Sequence, residues 1–232
     1  MLKAKKKITK KELKEDALIS SYSKFLVYYE ENKKMIGYGA AIIVLAILGL
    51  VVYINNKRAN NEKATALLGN IYSFYDAGAN DPNQYTVAIT GNPERHVVGL
   101  KSIVDDYGST DAGEIAKLYL GNAYYATGKV DEALKAYESF SSSDPAMSAS
   151  ATAGQAACYE SKKNYDQAAS LYEKAAGLQT GSAADYLAAS ARCYGQKGDK
   201  AKALALCQRI KKEYPKSTPA RDIDRYIGQY SL

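Results

Sequence analysis

The sequence has no tryptophan, a single histidine, three cysteines and five prolines. Each scarcity removes a class of chemistry. His96 has no Ser or Cys nearby with which it could form a nucleophile and base pair, and it reads as a surface residue at a loop edge. No CxxC or HExxH pattern occurs, so the spacing of a zinc or thiol-redox site is missing. Gly128-Lys129-Val130 fails as a phosphate loop, because the leading glycine of that motif would fall on Ala123 and Val130 stands where a magnesium-binding hydroxyl is needed. Adjacent acids such as Asp105-Asp106 and Asp131-Glu132 read as solvated helix starts or faces. No catalytic residue, metal ligand or cofactor is expected, and an undetected hydrolase is the weakest of the functional readings. Cys158, Cys193 and Cys207 read as small apolar core residues with free thiols. Their odd number fits poorly with a fully oxidised exported domain.

Charge is missing from one place above all. Residues Ile36 to Ile54, IGYGAAIIVLAILGLVVYI, form a 19-residue run without a charged side chain. As a helix it would span roughly 28 Å, close to the ~30 Å hydrocarbon thickness of a bilayer. Only a helix can satisfy its own backbone in lipid over that distance. The remainder is polar, with a mean hydropathy of −0.35 and 24% charged residues, so one span is expected. The alternative is a cleaved signal peptide. It would have a shorter apolar core nearer the N-terminus and a small-residue cleavage pattern, and neither is found here.

Residues 1–34 carry ten Lys against five acids, a net of +5 within a chain total of +6. A short basic flank stays on the cytoplasmic side, whereas long domains translocate largely regardless of charge. The N-terminus is therefore expected inside and the C-terminal domain outside. Within the tail, Thr9-Lys-Lys-Glu12 fits a capping box, and Leu13, Ala17, Leu18, Tyr22, Phe25, Leu26 and Tyr29 form an apolar stripe. A basic amphipathic helix of this kind rests on anionic lipid or meets a cytoplasmic partner, ribosomal RNA included. It has no pattern for specific nucleic-acid recognition.

Beyond the span the chain repeats with an offset of 35 residues. The columns are Gly121, Ala156 and Ala191; Tyr124, Tyr159 and Tyr194; Ala133, Ala168 and Ala203; and Tyr137, Tyr172 and Cys207. Small residues permit close helix crossing, and the tyrosines fill the gap between paired helices. Gly128 and Gly198 mark the turn in the first and third units. Ser217-Thr218-Pro219 signals the start of a final amphipathic helix that caps the array.

These columns resemble the tetratricopeptide repeat (TPR), a helix–turn–helix unit of about 34 residues, with Pro145 and Pro215 where that family often ends a helix. The expected fold is all-α. It comprises a cytoplasmic tail with an amphipathic helix (1–34), a transmembrane helix (35–56), a linker helix and degenerate first repeat (57–110) with an inserted loop at 76–95, three TPR units within 111–218 (114–148, 149–183 and 184–218), and a capping helix (219–232). Counting along the first helix of each unit assigns Asn122, Tyr125, Glu160, Arg192 and Gln196 to a concave, protein-binding face. Glu160→Ala is expected to leave stability unchanged, and Ala168→Leu to lower it.

Tail, span, repeats and the ending Tyr214-Pro215-Lys216-Ser217 with Ile223, Arg225, Tyr226 and Ile227 are together similar to bacterial single-span TPR proteins that serve as ancillary subunits of the Sec translocon. The resemblance implies an inner-membrane protein whose repeat domain lies in the periplasm. It also implies protein partners there and in the membrane, among them the Sec translocon and a membrane-anchored prolyl-isomerase-type chaperone. A scaffold or chaperone for exported chains is the leading functional reading. A structural or assembly subunit of another envelope complex is the alternative.

Overall fold

A 68-residue helix, α1 (Lys10–Ala77), dominates the N-terminal third of the protein in the computed structural model, which describes residues 10–178 and 180–231. The chain divides into two compact units, Met1–Asn56 and Lys57–Leu232.

In the first unit the tail from Lys10 onward and the apolar run form one continuous helix, where a separate amphipathic helix followed by a span is the sequence expectation. No proline interrupts it, and Gly37 and Gly39 are single permissive positions whose cost of about 1 kcal/mol each a long helix absorbs. Thr9 of the capping box lies outside the described residues, as do the side chains of Leu13, Ala17 and Leu18. The remaining stripe residues Tyr22, Phe25, Leu26 and Tyr29 are exposed. Among the described residues one helix is long and apolar enough to cross a membrane, and none of its most apolar window is buried.

In the second unit the last turns of α1 pack through Ala64 and Ile71, both fully buried. Segment 76–95, expected as an inserted loop, is instead folded. Asp81 accepts the Asn83 amide at 3.0 Å and starts α2 (Pro82–Thr90), with Pro82 in the first turn. The strands β1 (Gly91–Asn92) and β2 (Val97–Val98) pair antiparallel around a 3-10 turn, Pro93–Arg95. Gly91 adopts φ 87° at the hairpin entry. The missed signals were Asp-Pro and Asn-Pro, each a cap followed by a preset first helical residue. Helix α2 buries Ala88 and Ile89 in one core cluster with Leu100 and Ile103 of α3 (Leu100–Tyr107).

Three helix pairs follow. They are α4 (Asp111–Ala126) with α5 (Val130–Ser139), α6 (Pro145–Ser161) with α7 (Tyr165–Gly177), and α8 (Ala183–Lys197) with α9 (Lys200–Glu213). The first helices begin at Asp111, Pro145 and Ala183, slightly ahead of 114, 149 and 184, because Thr110 and Asp144 accept the amides of Gly113 and Met147 and start the first two early. Pro145 therefore opens a helix, where the family pattern suggested a helix end. Pro215 follows the end of α9.

Burial follows the 35-residue register. Ala133, Ala168 and Ala203 are each fully buried, and Tyr137, Tyr172 and Cys207 are buried beside them. With only a methyl group at each position, the alanine column leaves room for a close approach of the neighbouring helix. The turns obey the same register, with Gly128 at φ 75°, Lys163 at φ 59° and Gly198 at φ 90°. Two of the three positions carry the residue that tolerates this backbone, and the middle one does not.

The capping segment is divided. It forms α10 (Thr218–Arg221) and α11 (Ile223–Ser231), separated at Asp222, where a single helix over 219–232 is the sequence expectation. Ile223 inserts into the core beside Leu206, Cys207 and Ile210.

Candidate functional site

The first helices α4, α6 and α8 carry all five residues expected on the binding face, and the structure engages four of them with neighbouring side chains. Asn122 donates through Nδ2 to the Tyr75 hydroxyl at 2.8 Å and accepts the Tyr137 hydroxyl at 2.7 Å. It is thus a bridge between the end of α1 and α5 as well as a face residue. Tyr125, 38% exposed, places its hydroxyl 3.0 Å from Ser161 Oγ on α6. Glu160 accepts Arg192 Nε at 2.9 Å and Nη2 at 3.0 Å, and also the Tyr172 hydroxyl at 3.1 Å. Gln196 is exposed.

These contacts revise the expectation that Glu160 is a dispensable surface charge. Burial on its own would push the Glu160 carboxyl up, but the hydrogen bonds and charge of Arg192, with the Tyr172 hydroxyl, hold it net below the ordinary carboxylate range. Arg192 is shifted up by the same hydrogen bonds. The sequence positions of Glu160 and Arg192 give no hint of the pairing, since they differ by 32 rather than 35 residues.

A second set of contacts repeats in register on the other side of each unit. Lys162 Nζ lies 2.5 Å from Asp131 Oδ1, and Lys197 pairs with Asp166 in the same way. Both donors and both acceptors are 35 residues apart, so this ladder follows the repeat register. Being exposed to solvent, which screens the charges, each pair contributes little to stability.

Tyrosine supplies the aromatic packing that tryptophan and phenylalanine supply elsewhere. Tyr75 stacks on Tyr119 with ring centroids 4.5 Å apart, and Tyr85 meets Tyr75 edge-on at 5.7 Å. Burial pushes the Tyr75, Tyr137 and Tyr172 hydroxyls above their ordinary range, so they act as neutral hydrogen-bonding groups.

All three cysteines are buried with free thiols. Burial pushes Cys158 up to about 11 and Cys193 up to about 12, which disfavours the thiolate form of both at neutral pH. His96 is exposed in the left-handed region after the 3-10 turn. Among the described residues no group of three or more His, Cys, Asp or Glu side chains is arranged to hold a metal ion.

The arrangement presents polar donors and acceptors along successive first helices and a cleft between α8 and the capping helices. Both are binding geometries. A family model for the tetratricopeptide repeat matches residues 118–183 and, in a second overlapping match, 164–218. No curated relative matches the chain. The two matches together cover residues 118–218, most of the three helix pairs, and repeats of this kind suggest a scaffold for protein–protein interaction.

Proposed function

We propose that the protein is a membrane-anchored interaction scaffold, crossing the bacterial inner membrane once through α1, with its tail in the cytoplasm and its TPR domain in the periplasm. The observation that carries this reading is the charge-free run Ile36 to Ile54, helical throughout and with no buried residue in its most apolar window. The core helix of a soluble protein would be covered, and a signal peptide would have a shorter apolar core. Tyr38 and Tyr53, 71% and 63% exposed, bracket the run where amphipathic rings collect at the two membrane interfaces. The five-charge excess of the tail supports the orientation.

The face formed by Asn122, Tyr125, Glu160, Arg192 and Gln196 holds an extended segment or a helix of a partner protein, as polar concave surfaces of repeat arrays do. The partner we favour is the Sec translocon, with its membrane-anchored prolyl-isomerase-type chaperone, and the role is that of an ancillary subunit or chaperone for exported chains. Support for the partner comes from the order of basic tail, single span, repeats and Tyr214-Pro215 ending.

Two measurements test this reading. Protease added to spheroplasts should digest the TPR domain, while protease added to inside-out vesicles should leave it intact; the opposite result reverses the orientation. Purification in mild detergent should recover translocon subunits. Recovery of a different envelope complex in their place would assign the protein to that complex as a structural or assembly subunit.

A further inference from the structure

At the C-terminal end of the repeats a cleft of about 240 Å³ lies between α8, α9, α10 and α11, lined by the apolar Ala191, Ile223, Tyr226 and Tyr230 and by the charged Arg192 and Asp222. Its size narrows the class of ligand. Sites for small molecules and cofactors run from ~300 to 1,000 Å³, so this cleft is too small for one of those, yet it can seat one large apolar side chain.

The two charged groups in its lining supply the rest of the recognition. A guanidinium has five N–H donors, and Arg192 commits Nε and Nη2 to Glu160 at 2.9 and 3.0 Å. Three donors remain, on a group whose orientation is fixed because Glu160 is itself held by the Tyr172 hydroxyl at 3.1 Å. The Asp222 side chain makes no hydrogen bond or ion pair to a described residue. Preset donors and a free acceptor beside an apolar lining match the C=O and N–H of a polypeptide main chain. They do not match an isolated anion, because the positive charge of Arg192 is already opposed by Glu160, and Asp222 would repel a carboxylate or phosphate.

We infer that this cleft is the anchoring subsite of the binding face, taking one large aliphatic or aromatic side chain from an extended, uncharged stretch of a partner polypeptide while Arg192 and Asp222 bond the adjoining main chain. The inference rests on the binding-face reading above and adds the ligand class to it. Recognition of this kind reads one apolar residue and otherwise only backbone, so it suits a protein that must accept many different unfolded segments.

The test uses the full-length chain in detergent micelles and fluorescent peptides of a Ser/Gly/Thr host sequence carrying one central Leu, the same peptide with Ala, and the Leu peptide flanked by Asp. The Leu peptide should bind about tenfold or more tightly than the Ala peptide, as burial of a leucine side chain requires, and flanking Asp should weaken it. Ala188→Leu, which fills the cleft from its partly exposed edge, should abolish the preference for Leu without altering the thermal melt. Asp222→Ala, on the exposed surface, should weaken the Leu and Ala peptides alike and keeps the test decisive if Ala188→Leu fails to fold. Binding of the Leu peptide that is indifferent to Ala188→Leu, or to Asp222→Ala, overturns the subsite and leaves the binding-face reading intact. Failure of the wild-type chain to bind any of the peptides overturns both.

Discussion

Arg192 on α8 reaches back to Glu160 on α6 with two parallel N–H donors, at 2.9 and 3.0 Å, and so ties the first helices of successive repeats together. The pair lies on the proposed binding face, yet it belongs to the fold as well. A residue can therefore face a partner and still be structural, and substitutions on this surface have to be read against a thermal melt.

Glu160→Ala is expected to lower stability by ~1–2 kcal/mol. The ion pair contributes little of this, since the Arg192 side chain is 53% exposed and such pairs are worth ~0–1 kcal/mol. Most comes from the buried Tyr172 hydroxyl, which loses its acceptor at a cost of ~1–3 kcal/mol at most. Chemical denaturation of the two proteins measures the difference, and a shift below ~0.3 kcal/mol would mean that water replaces the carboxylate freely.

The same carboxyl makes stability depend on pH. Its folded pKa is depressed below the ordinary glutamate value of 4.5, so its contribution is present above that value and is lost as pH falls through the folded pKa. Glu160→Gln should flatten the acid limb of the stability profile below about pH 4.5 relative to wild type. An unchanged acid limb would show that other carboxylates govern it.

Lys163→Gly should stabilise the protein by ~0.5–1 kcal/mol, because Lys163 holds the left-handed turn conformation, φ 59°, that Gly128 and Gly198 adopt in the flanking repeats. Gly128→Ala and Gly198→Ala should each move the melt the other way. A destabilised Lys163→Gly variant would mean that the gain in unfolded-chain entropy outweighs the relief of strain.

Ala168→Leu should cost ~1–3 kcal/mol through overpacking at a helix crossing, where Ala168 is fully buried. Asp131→Asn, at an exposed ion pair 77% open on the acidic side, should leave the melt nearly unchanged. Equal shifts for the two would remove the 35-residue register as a guide to burial.

Replacing residues 79–98 by a short Gly-containing turn should destabilise the domain by more than ~2 kcal/mol. The segment supplies Ala88 and Ile89 to the cluster that contains Leu100 and Ile103, and apolar surface uncovered at that core carries a transfer and a cavity cost. An unaltered melt would show that α2 is an ornament on the first repeat.

The parts of the fold that were legible share one physical basis, a periodic signal sampled several times. The alanine and tyrosine columns recur at 35 residues and the turn glycines at twice that spacing, so burial of Ala133, Ala168 and Ala203 and the turn at Gly128 and Gly198 could be read directly. The segment around α2 occurs once. Its helix is marked only by Asp81-Pro82 and buries just Ala88 and Ile89, too short a stretch to show periodicity. The break between α10 and α11 is similarly local, set by Ile223 turning into the core. On the binding face, position along the helix was legible, but partner choice was not. Asn122 finds Tyr75 across 47 residues and Glu160 finds Arg192 across 32, and such contacts depend on how adjacent units stack.

The most direct test of a partner-binding face is site-specific photo-crosslinking of the full-length protein in native membranes, with the probe at Gln196 on α8 or at Lys174, exposed on the second helix α7. The probe at Gln196 should give adducts with a partner polypeptide, translocon subunits or exported chains among them, while the probe at Lys174 gives few or none. Adducts from Lys174 with none from Gln196 would contradict the assignment of the first helices to the binding face.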